Sequence, residues 1–330
     1  MGAHDRVRRL TLNLDTFDDI SELRTHPQDF PILACFELRV NAPGRPIGLS
    51  MLKTAPALRR FCLNTPSCSL DLEPAAVSWS QLTELTLNLQ VDLGRARSIL
   101  MECTGLEVCT IYTGDDWSEP PLQRLSSVTS LLHLTRFSIL CCSDEDVEDF
   151  FDAFSFPSLT DLTVNATQLS ELALPNLYSR SHFQLIKMDV DISEWVFTDE
   201  LTTFLELTSS LEFLVLRVGG FQRTYMELFT YGGENPAPFA LPKLRTLSIR
   251  MDHSMNTNPF KCRHDPSAAE MLESFERYPG KRNRAFPSLT RVFLTMIGDD
   301  FDRDIEKRLV NAGKRRIEGW YHRQRSADED

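Results

Sequence analysis

A chain of 330 residues with 42% hydrophobic and 25% charged side chains has the composition of a folded soluble protein, yet it is longer than a single compact core usually sustains. Asp and Glu outnumber Lys and Arg by 47 to 35, a net charge of −12, and this balance opposes general phosphate-backbone binding, which needs a basic stripe. The first residues, MGAHDRVRR, lack the apolar core of a signal peptide. No apolar run approaches bilayer-spanning length, so neither nucleic acid nor membrane is the expected partner, and cytoplasm or nucleus is the expected location.

Taken in chain order, the elements repeat. Short phrases with apolar first, fourth and sixth positions start at Val7, Leu33, Leu58, Leu82, Leu106, Leu134, Leu159, Leu185, Leu211, Leu244 and Leu289. Successive starts differ by 26, 25, 24, 24, 28, 25, 26, 26, 33 and 45 residues. Eight of these ten intervals fall within 24–28, a regularity that signals stacked repeats. Within a phrase, apolar and polar residues alternate as in a half-buried strand. Pairs such as Leu10 and Leu12, Leu85 and Leu87, or Leu247 and Ile249 should point into a core. The spacing L-x-x-L-x-L at this period is the leucine-rich repeat pattern. It predicts an α/β solenoid of about eleven repeats, with a curved parallel sheet on the concave face and helices or irregular turns on the convex face. Because each repeat buries its apolar side only against its neighbours, length sets no limit, and one domain is expected over 1–312.

Between strands, 96–103 carries apolar residues at helical spacing. Residues 144–154 read as a helix capped by Ser143, with Asp and Glu in its first turn and Val147, Phe150, Phe151 and Phe154 on one face. Thr198–Leu207 repeats the arrangement, with Thr198 as cap and Leu201, Phe204 and Leu205 inward. Pro31, Pro56, Pro157, Pro242 and Pro287 sit just ahead of strands, where proline ends a preceding helical segment. Two insertions, about 219–240 and 251–285, lengthen the last intervals, the second with a short helix over 268–278. An amphipathic helix over 300–312, with Phe301, Ile305, Leu309 and Val310 apolar, closes the C-terminal end, and 313–330 follows as a charged tail. The first phrase starts so near Met1 that no polar cap precedes it. Either a partner or a longer chain would cover that apolar edge.

Catalytic and metal-binding patterns are missing. His253, Cys262 and His264 match no compact zinc spacing, and there is no Cys-x-x-Cys pair. Neither a Gly-rich phosphate loop nor a Gly-x-Ser-x-Gly turn occurs. The acidic runs Asp144–Asp146 with Glu148 and Asp149, and Asp15 with Asp18 and Asp19, read as solvated surface. The chain is expected to be no enzyme and to use no cofactor and no metal. Cys35, Cys62 and Cys109 lie within strands as free thiols, adjacent Cys141 and Cys142 read as packing, and the sequon at Asn165 as a chance match.

Function then falls to the other sheet face, formed by the third, fifth and seventh phrase residues. Its middle is small and polar, with an acidic patch at Asp161, Asp189 and Asp191. Its C-terminal third combines aromatics with arginines: Phe213, Val215, Arg217, Arg250, Arg291 and Phe293. Exposed aromatics beside Arg are typical of interaction hot spots, so these six are the candidate protein-binding residues.

The phrases with Phe-Pro-x-Leu-x-x-Leu-x-Leu spacing at 156–164 and 286–294, the Trp79-to-Leu87 version, and the Thr-Gly-Leu-Glu and Ser-Ser-Leu-Glu endings at 104–107 and 209–212 resemble the repeat regions of fungal F-box proteins with irregular leucine-rich repeats. The resemblance covers about 7–297. It implies a substrate-recognition arm, with the F-box binding the Skp-type adaptor of a cullin–RING ubiquitin ligase. No Leu-Pro-x-Glu helix of an F-box is present, because Leu241-Pro242 leads a strand. Skp–cullin binding would therefore need an F-box supplied by a longer chain, and a stand-alone scaffold or regulator is the alternative.

Overall fold

The computed structural model describes residues 6–14, 30–40, 49, 52–53, 55–65, 77–89, 93–113, 127–141, 147–166, 170, 172–191, 198–218, 241–252, 288–297 and 321–324. It is an α/β fold dominated by parallel strands with few helices. One continuous domain is expected from the repeats, but backbone proximity groups the chain into two compact units. The first comprises Met1–Ala166 and Asn176–Phe183, the second Thr167–Pro175 and Gln184–Asp330.

In the first unit, β1 (Arg9–Leu14), β2 (Cys35–Val40), β3 (Arg60–Thr65), β4 (Glu84–Leu89), β5 (Val108–Thr113), β7 (Arg136–Cys141) and β9 (Asp161–Ala166) lie side by side, all parallel. The short β6 (Thr129–Ser130) and β8 (Phe154–Ser155) pair separately. In the second unit, β10 (Lys187–Asp191), β11 (Phe213–Val218), β12 (Thr246–Asp252), β13 (Arg291–Ile297) and β14 (Tyr321–Gln324) do the same. Every expected strand phrase among these forms a strand, and within each unit equivalent phrase positions are register partners. Leu10 faces Phe36, Phe36 faces Phe61, and Leu214 faces Leu247.

Alternation puts one side of each strand in the core. Leu85 and Leu87, Phe137 and Ile139, and Leu247 and Ile249 are all at most 1% exposed. Leu10 and Leu12 of β1 are only half-buried. In the first unit Phe137 is ringed by Phe150, Phe151 and Phe156 at centroid distances of 6.1, 6.1 and 5.2 Å. Phe61 stacks on Phe36 and meets Trp79 edge-on. Cys109 is a free thiol buried on the core side, and its raised pKa follows first from burial.

The phrase itself explains why strands begin where they do. Among the described residues, the N–H of the first leucine donates to the carbonyl three residues earlier in eight repeats, including Leu33 to Phe30, Leu58 to Ala55, Leu159 to Phe156 and Leu244 to Leu241. Pro31, Pro56, Pro157 and Pro242 occupy the second position of these turns, where a fixed φ suits the geometry. The next two N–H groups then converge on one carbonyl of the preceding repeat. Thr135 and Arg136 donate to Glu107, Thr160 and Asp161 to Thr135, and Arg245 and Thr246 to Glu212. Where the second phrase residue is Thr, its hydroxyl joins the same carbonyl, at 3.1 Å for Thr135, Thr160 and Thr290. Ser158 and Ser288 reach the preceding repeat at 2.6 and 2.7 Å, donating to Leu132 and Pro242.

The helices fit the expectation in part. Helix α1 (Leu93–Glu102) starts three residues before the segment read as helical. Helix α2 is shorter than expected, Val147–Asp152, and Ser143 lies outside the described residues. Phe154 is fully buried but leaves the helix for β8, because the Ala153 carbonyl and the Leu131 N–H pair this segment with β6. Helix α3 (Ala173–Ser181) was not expected from the pattern. Its Pro175 falls in the first turn, where no intrahelical N–H is needed. The helix ends on His182 at φ 52°, whose N–H returns to the Tyr178 carbonyl at 2.7 Å, a left-handed cap usually made by Gly. Helix α4 (Thr198–Leu207) has the expected bounds, with Leu201, Phe204 and Leu205 buried.

Strand β12 runs through Met251 and Asp252, so the second insertion begins after it. Residues 313–330 are not wholly tail, because Tyr321–Gln324 pairs in parallel with Leu294–Ile297. The 219–240 insertion, the expected helices over 268–278 and 300–312, the acidic residues Asp15, Asp18, Asp19 and 144–146, and the His253, Cys262 and His264 group lie outside the described residues.

Candidate functional site

On the strand face away from the core, here the open face, side chains form rows across the register. In the first unit the middle row reads Thr86, Thr110, Ser138 and Thr163, all half-buried. Beside it Asn88 donates to Asn64 at 3.0 Å. Ion pairs bracket the rows: Arg60 to Glu84 at 2.8 Å and Arg136 to Asp161 at 3.5 Å. Cys35 and Cys62 are free and half-buried on this face. Burial, then the Glu37 carboxylate, push the Cys62 thiol up.

In the second unit the open face of β11 carries Phe213, 39% exposed, with Val215 and Arg217 half-buried. Thr246, Ser248 and exposed Arg250 of β12 lie opposite these three, one to one. Across β12, exposed Arg291 faces Thr246, and half-buried Phe293 faces Ser248. The six expected binding residues therefore share one face of three adjacent strands.

The expected acidic patch comprises Asp161, Asp189 and Asp191. Asp161 belongs to the first unit, where Arg136 pairs with it, and Asp189 and Asp191 belong to the second. Arg217 donates through Nε and Nη2 to the two carboxylate oxygens of Asp189, both at 3.1 Å. This forked hydrogen bond raises the pKa of Arg217, against burial, which lowers it. The sequence puts Arg217 and Asp189 in separate patches of one face, and the register joins them: Val215 is the partner of Asp189, so Arg217 lies one strand and two residues away. The signal was present in the phrase alignment, since the two strands start 26 residues apart.

Among the described residues, no three His, Cys, Asp or Glu side chains come together as a metal site. No helix there is long and apolar enough to cross a membrane. Compared with models of known protein families and with functionally characterised proteins, the chain matches none.

Proposed function

We propose that this chain is a non-catalytic protein-interaction solenoid of the leucine-rich-repeat class, about eleven repeats long, which holds a protein partner on the open face of β11–β13. The observation that carries the reading is Phe213: in a phrase whose alternate leucines are 0–1% exposed, an aromatic side chain faces outward at 39%, next to Val215, with Arg217 further along the same strand and Arg291 two strands away in the same row. A large apolar group placed outward beside Arg suits docking better than it suits solvent. The repeat interval, the leading turns and the second-position Thr latches support the repeat class. Within that class, the phrase resemblance supports a substrate-recognition arm of an F-box-type ubiquitin-ligase receptor, acting in cytoplasm or nucleus.

The test is affinity capture of the tagged full chain from eukaryotic cells, set beside a Phe213→Ser variant of unchanged fold. A protein partner lost on that substitution is expected. Recovery of a Skp-type adaptor and a cullin with the same chain supports the ligase role; a Phe213-dependent partner without them transfers the reading to a stand-alone scaffold. An identical set of captured proteins from parent and variant overturns the docking face.

A further inference from the structure

We infer that the open face of β11–β13 receives an extended acidic segment of another protein, laid along β12, with an apolar side chain on Phe213 and Phe293 and a carboxylate on Arg250. The inference rests on the docking reading above and adds the chemistry of the partner.

Two observations carry it. The first is shape. Thr246 and Ser248 stand between Phe213 and Val215 on one side and Phe293 on the other. Neighbouring strands lie about 4.8 Å apart, so the larger side chains flank a strip roughly 10 Å wide floored by small polar ones. One extended backbone fits that width, and its alternate side chains would fall toward the flanking aromatics.

The second is charge. Across β11–β13 the three outward rows from Phe213 to Arg217 hold three arginines and no acid, in a chain whose net charge is −12, while Asp189 and Asp191 stand beside Val215 and Arg217 on β10. Arg217 and Arg250 are register partners, and like charges set side by side repel. Asp189 holds Arg217 with both carboxylate oxygens, on the side toward β10. Arg250 is exposed and makes no ion pair among the described residues. A carboxylate arriving over β12 would complete for Arg250 what Asp189 does for Arg217, through the same forked geometry. A bare phosphate would satisfy the guanidinium as well but would leave Phe213 and Val215 in water. The aromatics thus select a segment with both acidic and apolar residues.

The experiment is fluorescence anisotropy with the purified full chain. The probe is a labelled twelve-residue peptide with Glu at alternate positions and one Leu and one Phe between them. Companions carry Gln or Lys in place of Glu, and competitors are phosphatidylserine-containing vesicles and a single-stranded oligonucleotide. The acidic peptide should bind at least tenfold more tightly than its Gln companion, with no binding by the Lys form. Arg250→Glu, or Arg250→Gln should the first fail to fold, should weaken it at least tenfold. Equal binding by the Gln companion, indifference to both Arg250 variants, or equally tight binding of vesicles or oligonucleotide overturns the inference. If the Gln companion binds equally and Phe213→Ser abolishes binding, the docking face stands while the acidic partner is wrong. If no peptide binds and Phe213→Ser changes no captured protein, both fall.

Discussion

Replacing Arg217 by Ala removes two charge-assisted hydrogen bonds of 3.1 Å and leaves Asp189, 15% exposed, without them. Exposed ion pairs contribute only about 0.2–1 kcal/mol, whereas hydrogen bonds to charged groups contribute roughly 1.5–3. With Arg217 at 31% exposure, the pair falls between these cases, and about 1–2 kcal/mol is expected. Arg217→Glu adds repulsion from Asp189 and Asp191 and should cost about 2–3 kcal/mol. For a chain of this size, 1 kcal/mol corresponds to about 1–2 °C in Tm. Arg250→Glu makes the opposite case: it breaks no ion pair among the described residues and relieves a like-charge neighbour, so its effect should lie within about 0.5 kcal/mol of zero. Urea unfolding followed by circular dichroism, at low and high salt, checks all three, and a double-mutant cycle with Asp189→Asn should give a coupling of about 1 kcal/mol. Equal stability of parent and Arg217→Ala, or an equal loss from Arg250→Glu, would refute the reasoning. The same contrast separates stability from binding: Arg217 is tied to the sheet through Asp189, whereas Arg250 belongs to the proposed docking face.

Phe137→Ala, at a fully buried ring among three other phenylalanines, should cost about 3–5 kcal/mol, read as a lower urea midpoint, and Phe137→Leu much less. Thr160→Val deletes the hydroxyl that joins the Thr135 carbonyl; a loss of about 0.5–1 kcal/mol is expected, and doubling it with Thr135→Val should roughly add. His182→Gly removes the strain of a left-handed cap at φ 52° and should raise stability by about 0.5–1 kcal/mol in thermal melts. Burial pushes the Cys103 thiol up to about 12, against 9.0 when unfolded. Its contribution is therefore complete below pH 9 and falls as pH rises toward 12, a decline that Cys103→Ala should flatten in pH-dependent melts. At neutral pH, mass spectrometry after brief alkylation should find Cys35 and Cys62 labelled ahead of Cys103 and Cys109.

Strand positions and core sides could be read from the chain because alternation and a near-constant interval report on the same physical event, the burial of one side of each strand. The leading prolines were equally informative, since a fixed φ suits the second residue of a turn such as Phe156–Leu159 or Leu241–Leu244. Helix α3 escaped because Pro175 reads as a breaker unless its place in the first turn is known. Phe154 was misassigned because helical spacing continues through it, while the competing β6–β8 pairing is non-local and leaves no local mark. At the site, alternation alone put Phe213 and Arg250 outward. It could not pair Arg217 with Asp189, which takes the register of two strands and a diagonal between them.

The twin amide contacts on a single carbonyl have an evolutionary consequence. They recur unchanged where the connecting segment swells: Arg245 and Thr246 still meet Glu212 after a 33-residue interval, and Thr290 and Arg291 still meet Arg245 after 45. Each new strand is clamped at its entrance, so additional sequence upstream of the clamp need not disturb alignment downstream. Such a chain can acquire, lose or exchange whole excursions between neighbouring rungs, and an engineer could graft a foreign loop into either long interval with the ladder left in phase.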